Sequence, residues 1–199
     1  FTRPSVAFST SSALMVAGWT AFANPANGSG GEQLRLAATL LALASMQVEP
    51  NMRAGQAVDW ALRKRWIGID ARGRAMLAMA VLANGGRTGL PDNLTRLATQ
   101  DQLREAAGWG LAIRLCRKFS GCSPDSLSGS ALTCEPGQLV LTVRKPFDAL
   151  VSDIVERDLA LLANWLGREP RLSMVSPSTR VARNDIHKRN ITDFAPSSA

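Results

Sequence analysis

The chain has 199 residues, is 46% hydrophobic but only 6% aromatic, and contains no Tyr, which fits one globular domain, or one with an appendage, around an aliphatic core. Its 23 basic residues against 16 acidic ones give a net charge of +7; this draws polyanions such as nucleic acid, acidic lipid or phosphate polymers, unless the excess is only a solvated face. Cys116, Cys122 and Cys134 form neither a CxxC pair nor a zinc spacing, which excludes a disulfide framework and points to free thiols in a reducing, cytoplasmic setting.

From Pro4 to Gly31 no residue is charged, and ALMVAGWTAFA resembles a signal-peptide apolar region. Only Arg3 precedes it and the chain begins with Phe, so residues 1–31 read instead as a severed, partly amphipathic helix followed by the loop NPANGSGG. The apolar stretch is too short to span a bilayer, and no transmembrane segment is expected.

Glu32 opens a helix in which Leu34, Leu36, Leu40, Leu41, Leu43 and Met46 cover most of the circumference, the pattern of a central, buried helix. Pro50 stops it. Arg53 to Arg65 reads as the next helix, with Ala57, Val58, Ala61 and Leu62 inside and Arg63, Lys64 and Arg65 at an end where cations also suit the helix dipole. Asp70 is placed to cap a helix over residues 71–83, which Gly85-Gly86 closes. Asp92 and Asp101 are read as caps of a short helix and of a long one through Phe119, with residues 123–130 a polar loop. Strand composition on both sides of Glu135-Pro136-Gly137 predicts a β-hairpin. A helix from Phe147 to Gly167 follows, with Val151, Val155, Leu159, Leu162 and Leu166 as its stripe and Asp153, Glu156, Arg157 and Asp158 on other faces. After Met174 periodicity ends, and residues 175–199 are expected to form a disordered basic tail.

Catalytic constellations are absent from this pattern. His187 is the one histidine and falls in the expected tail; there is no Gly-x-Ser-x-Gly elbow, no P-loop and no Gly-x-Gly-x-x-Gly. Neither catalytic nor metal-ligating residues are assigned. The basic residues are the remaining functional signal: Arg63, Lys64, Arg65, Arg72 and Arg74 border one connector, and Arg114, Arg117 and Lys118 lie on a later helix. Arg114 and Lys118 share a face at four-residue spacing. If the two sets line one groove they form a polyanion track; if they point apart they are solubilising charge.

The runs GWGLAIRLCRKFSG, ALTCEPGQLVLTV and IVERDLALLANWLG, with LRLAATLLALAS and EPNMRAGQAVDWALRKRWIGIDARGRAMLAMAV upstream, resemble the C-terminal region of the exopolyphosphatase / guanosine pentaphosphate phosphatase (Ppx/GppA) family over residues 32–172. The resemblance implies a mainly α fold: an HD-like helical domain at residues 32–122, followed at residues 123–174 by a small α+β element of β-hairpin plus helix. It implies a domain that contributes polyphosphate binding and homodimer contacts to an enzyme releasing terminal phosphate from inorganic polyphosphate. Catalysis, with Mg2+, would lie in N-terminal actin-like domains, which would be this domain's partners; nothing here resembles them, so the chain alone is expected to be inactive and to hold no cofactor. Leu43, Glu49 and Ala71 stand where related sequences often carry Asp, His and His, while Arg53, Asp70, Arg74 and Arg114 match. The alternative from another class is a small helical nucleic-acid-binding module; a secreted basic protein is a third reading. No membrane partner is expected.

Overall fold

The structure, a computed structural model, describes residues 10–21 and 30–176. The first helix, α1 (Thr10–Ala21), buries Ala13, Val16 and Trp19. It is tied to α2 (Gly31–Ala44) by Arg35, a buried arginine whose Nη1 donates to the Ala17 carbonyl at 2.7 Å while Nη2 pairs with Glu32 at 2.6 Å. Burying a guanidinium is tolerable only with such partners. Trp19 Nε1 donates to Ser130 Oγ at 3.1 Å and its ring stacks on Phe119 at 6.3 Å, so α1 also reaches the start of the sheet.

A 3-10 turn (Ser45–Gln47) ends α2, and Pro50 then occupies the first turn of α3 (Pro50–Arg63). Proline thus starts the next helix as well as ending the last, because its missing N–H is one that a helix start leaves unbonded anyway. Asp70 Oδ1 accepts from Gly73 N at 2.7 Å and caps α4 (Ala71–Asn84) as expected.

The central helix is α4, not α2. Ten residues of α4, from Gly73 to Asn84, are buried, whereas Leu40 of α2 is exposed and Leu34, Leu36 and Met46 are half-buried. Alanines at 75, 78, 80 and 83 let neighbours approach α4 from several sides. The tightest approach is Gly110 of α6 (Gln100–Ser120): a Cβ there would collide with the Ala80 carbonyl and lie 2.8 Å from Ala83 Cβ. Between α4 and α6, α5 covers Asp92–Thr95 only, and Pro91 takes the cap position with Asp92 inside the first turn, so Asp92 is not the cap. The cap of α6 is Thr99, not Asp101: Thr99 Oγ1 accepts from Gln102 N and Gln102 Oε1 accepts from Thr99 N, a reciprocal capping box.

Residues 123–130 are not a loop throughout. Pro124–Ser128 forms α7, and Ser130 already belongs to β1 (Ser130–Glu135). β1 and β2 (Gln138–Arg144) pair antiparallel around Pro136-Gly137 from Glu135↔Gln138 to Ser130↔Val143, which is the expected hairpin. The helix expected from Phe147 is interrupted. Phe147–Leu150 is a 3-10 turn and α8 runs from Asp153 to Trp165.

The hairpin-plus-helix element also has a third strand. β3 (Glu169–Val175) lies parallel to β2, from Gln138↔Glu169 to Arg144↔Val175, with α8 as the crossover. Val175 is therefore a strand residue and not the start of a tail; residues 177–199, with His187, lie outside the described residues. β3 escapes a pattern search because only Leu172, Met174 and Val175 in EPRLSMV are apolar, and none is fully buried. Glu169 N donates to the Gly137 carbonyl, so Pro170 faces the open edge, where its lack of an N–H costs nothing and discourages further strand pairing. Leu132, Leu139, Leu141 and Val143 join the helical core from one face of the sheet. The architecture is mainly α with a small three-stranded α+β element.

Candidate polyanion-binding site

Helices α3 and α4 form an antiparallel hairpin. Arg74 Nη1 of α4 donates to the Leu62 carbonyl near the end of α3, and Ala54 and Val58 near its start share a groove with Leu82 and Arg87 near the end of α4. The basic residues gather at the hairpin's two ends, and α3 advances about 15 Å between Arg53 and Arg63.

At the connector end, Arg63 Nε lies 3.4 Å from Asp59 and Arg72 Nε 3.7 Å from Asp70. Lys64 Nζ sits 4.8 Å over the Trp60 ring, and Arg65 is exposed without an ion pair among the described residues. Arg74 differs from these. It is half-buried, donating to Ile69 O at 3.3 Å and Leu62 O at 3.5 Å, so it braces the connector.

At the other end, Arg53 donates to the Val48 carbonyl at 3.1 and 3.3 Å and to Met46 O at 3.4 Å. Arg114 reaches from α6 to α8, where its Nε meets Asp158 Oδ1 at 3.0 Å; its Nη1 would lie 3.2 Å from a Cβ on Gly86, at the exit of α4. Arg117 is one turn further along α6. Burial holds its guanidinium below the ordinary range; the Cys122 thiol opposes this, the fields of Arg114 and Arg53 add to it, and Asp158 again opposes it. The guanidinium still carries its charge at neutral pH. Lys118 is exposed on α6 without an ion pair among the described residues.

In this cluster Arg117 Nε and Asp158 Oδ2 are buried with no hydrogen-bond partner among the described residues, as is Asn84 Oδ1 at the end of α4. Such atoms normally hold water or a ligand. Thus Arg114 and Arg117 join Arg53 at one end, while Arg63, Lys64, Arg65, Arg72 and Arg74 sit at the other. Sequence reasoning placed Asp158 on a face other than the apolar stripe, whereas the residue is 6% exposed and its carboxylate is paired. Its spacing carried the clue: position 158 is three after Val155 and four before Leu162, on the buried stripe of α8. Asn84, at the end of a run of alanines, gave no signal.

The sequence matches the exopolyphosphatase C-terminal family over residues 7–175. The chain belongs to this family. No curated protein matches it. The match begins ahead of α1 and ends with β3, so the helices and the sheet together make up the family's C-terminal domain. In this exopolyphosphatase domain Leu43 is a core residue, and Glu49 and Ala71 are exposed at the entries of α3 and α4. Among the described residues no group of three or more His, Cys, Asp or Glu gathers to hold a metal, and no described helix is long and apolar enough to cross a membrane.

Proposed function

We propose that this domain binds inorganic polyphosphate on behalf of an exopolyphosphatase whose phosphate-releasing chemistry, with Mg2+, belongs to catalytic domains elsewhere in the enzyme. The observation that carries this reading is the gathering of Arg53 and Arg114 near Arg117, where Asp158, paired with Arg114, is the carboxylate that also acts on Arg117. Like charges partly withdrawn from water repel one another, and an anion in their midst relieves that repulsion. A chain of phosphates, with a negative charge at each repeat, can engage this cluster and continue toward Lys118 on one side or the connector cations on the other. The family match supports polyphosphate as the polymer, and the cluster offers chemistry suited to it.

The test is a titration of long-chain polyphosphate against the 199-residue chain over a range of salt concentrations, with duplex DNA at matched charge as comparison. Replacing Arg117 and Lys118 together by Gln is expected to weaken polyphosphate binding and lower the salt slope by roughly one to two units, by analogy with counterion release from DNA. An unchanged slope would remove this cluster from the binding surface, and tighter binding of DNA would favour a nucleic-acid module.

The same reading makes the parent enzyme a homodimer. Leu150, just before α8, and Ile154 and Leu161 on it are exposed, leaving apolar surface that a second copy can cover. Sedimentation equilibrium of the chain with Ile154 and Leu161 both replaced by Ser tests this: a dimer of the unaltered chain that the replacements do not weaken excludes that face.

A further inference from the structure

Ile67 is 97% exposed, the most exposed of the large apolar side chains among the described residues. It stands at the tip of the connector between α3 and α4, and the connector is held from several directions. Trp66 Nε1 is shared between the Trp60 and Ala61 carbonyls at 3.0 and 3.1 Å, locking the residue beside it onto the end of α3. Arg74 bonds Ile69 O, and the Asp70 carboxylate, one residue later, caps α4. Gly68, at φ +78°, turns the chain directly after the tip. The isoleucine is thus presented on a braced loop, with no described side chain covering it.

Around this tip lie the connector cations Arg63, Lys64, Arg65 and Arg72, all exposed. Asp59 and Asp70 pair loosely with Arg63 and Arg72, and Lys64 and Arg65 have no acidic partner among the described residues. The combination of an uncovered branched aliphatic side chain with a basic ring separates candidate partners. Polyphosphate has no apolar atoms, so it can satisfy the cations but gives Ile67 nothing. A bilayer containing anionic lipid offers both: headgroup phosphates at the level of the cations and hydrocarbon just beneath. The long stems of Lys and Arg can lie along the same boundary with their charges outward.

We propose that the Lys64–Ile69 connector is a peripheral attachment point for an anionic membrane surface, with Ile67 entering the headgroup boundary and Arg63, Lys64, Arg65 and Arg72 engaging lipid phosphates. This is surface attachment, without a spanning segment. It shares the connector cations with the polyphosphate reading, but that reading rests chiefly on the cluster at the opposite end of the hairpin and makes no use of Ile67.

The experiment is co-sedimentation of the full chain with vesicles of phosphatidylcholine alone and with 30% phosphatidylserine, comparing the unaltered chain with Ile67→Asn and Ile67→Phe. Binding is expected only to the anionic vesicles. Ile67→Asn should lower the partition coefficient by about five-fold and Ile67→Phe should raise it by a few-fold, since insertion scales with buried apolar area. Because Ile67 is uncovered, circular dichroism should show both variants folded. A second arm measures polyphosphate affinity, which should move less than about two-fold in Ile67→Asn. The proposal is overturned if the anionic vesicles do not bind the chain, or if Ile67→Asn and Ile67→Phe partition like the unaltered chain. It is equally overturned if Ile67→Asn abolishes self-association or DNA binding instead, which would assign the tip to a protein or nucleic-acid partner.

Discussion

At Asp158 one carboxylate oxygen holds Arg114 at 3.0 Å and the other is buried with no hydrogen-bond partner among the described residues. Removing this carboxylate leaves the Arg114 guanidinium near Arg117 without its ion-pair partner. The Arg114 side chain is 24% exposed, so water can reach it and the penalty falls below that of a fully buried pair. Asp158→Ala should cost about 2 kcal/mol, and a double-mutant cycle with Arg114→Ala should return a coupling of roughly 1 kcal/mol. Urea unfolding of the three variants measures both. Additive losses would mean the pair contributes only through separate packing.

The thiols carry a pH dependence of defined sign. Complete burial pushes Cys116 far above the usual thiol range; Cys122 adds to this, and the Ser120 hydroxyl and Arg117 oppose it. A group whose folded pKa lies above its unfolded value stabilises the fold fully below the unfolded pKa, and that stability is lost as pH rises toward the folded pKa. The chain should therefore lose stability above roughly pH 8.5, with this thiol contributing at most about 1.4 kcal/mol per pH unit. Replacing Cys116 by Ala should flatten that part of the decline, as read from urea midpoints between pH 8 and 10. A maleimide should label exposed Cys134 first and Cys116 last.

Among the elements, the contact between α4 and α6 depends on Gly110. Gly110→Ala inserts a methyl against the Ala80 carbonyl, backbone that cannot move aside without shifting α4. A loss of about 2–3 kcal/mol is expected, although alanine is the better helix former, because overpacking outweighs propensity here. A midpoint that rises instead would show that the two helices separate easily. β3 is the second element under test. Ending the chain after Arg168 removes β2's parallel neighbour and leaves its inner residue Leu141, now flanked on one side only, nearer to water. The truncated chain should unfold at a clearly lower urea concentration, with its near-ultraviolet signal weakened by loosening around Trp165.

For the whole molecule, the chain alone should release no orthophosphate from polyphosphate, with or without Mg2+. The motivation is that its basic cluster holds three guanidiniums and one paired carboxylate, a set that binds anions but presents neither a nucleophile nor a base to activate water. Metal-dependent turnover by the purified chain, measured as released phosphate, would sink the idea.

What the sequence determined by itself is the order of the main elements and their local chemistry. Asp70 as a cap, Gly85-Gly86 as a stop and Pro136-Gly137 as a hairpin turn follow from interactions within a few residues, and the structure has them. The C-terminal exopolyphosphatase family was likewise legible, since motif order survives in the chain itself. The tertiary structure alone decided what depends on distant partners. α4 rather than α2 became central because small side chains gain value only when several helices crowd them. β3 exists because β2 offers a free edge, which no pattern in EPRLSMV announces. The basic residues divided between the two ends of a helical hairpin, and Arg114 acquired Asp158, 44 positions away. Charge type is written in the sequence; whether a charge faces water, a carboxylate or another cation is set by long-range packing.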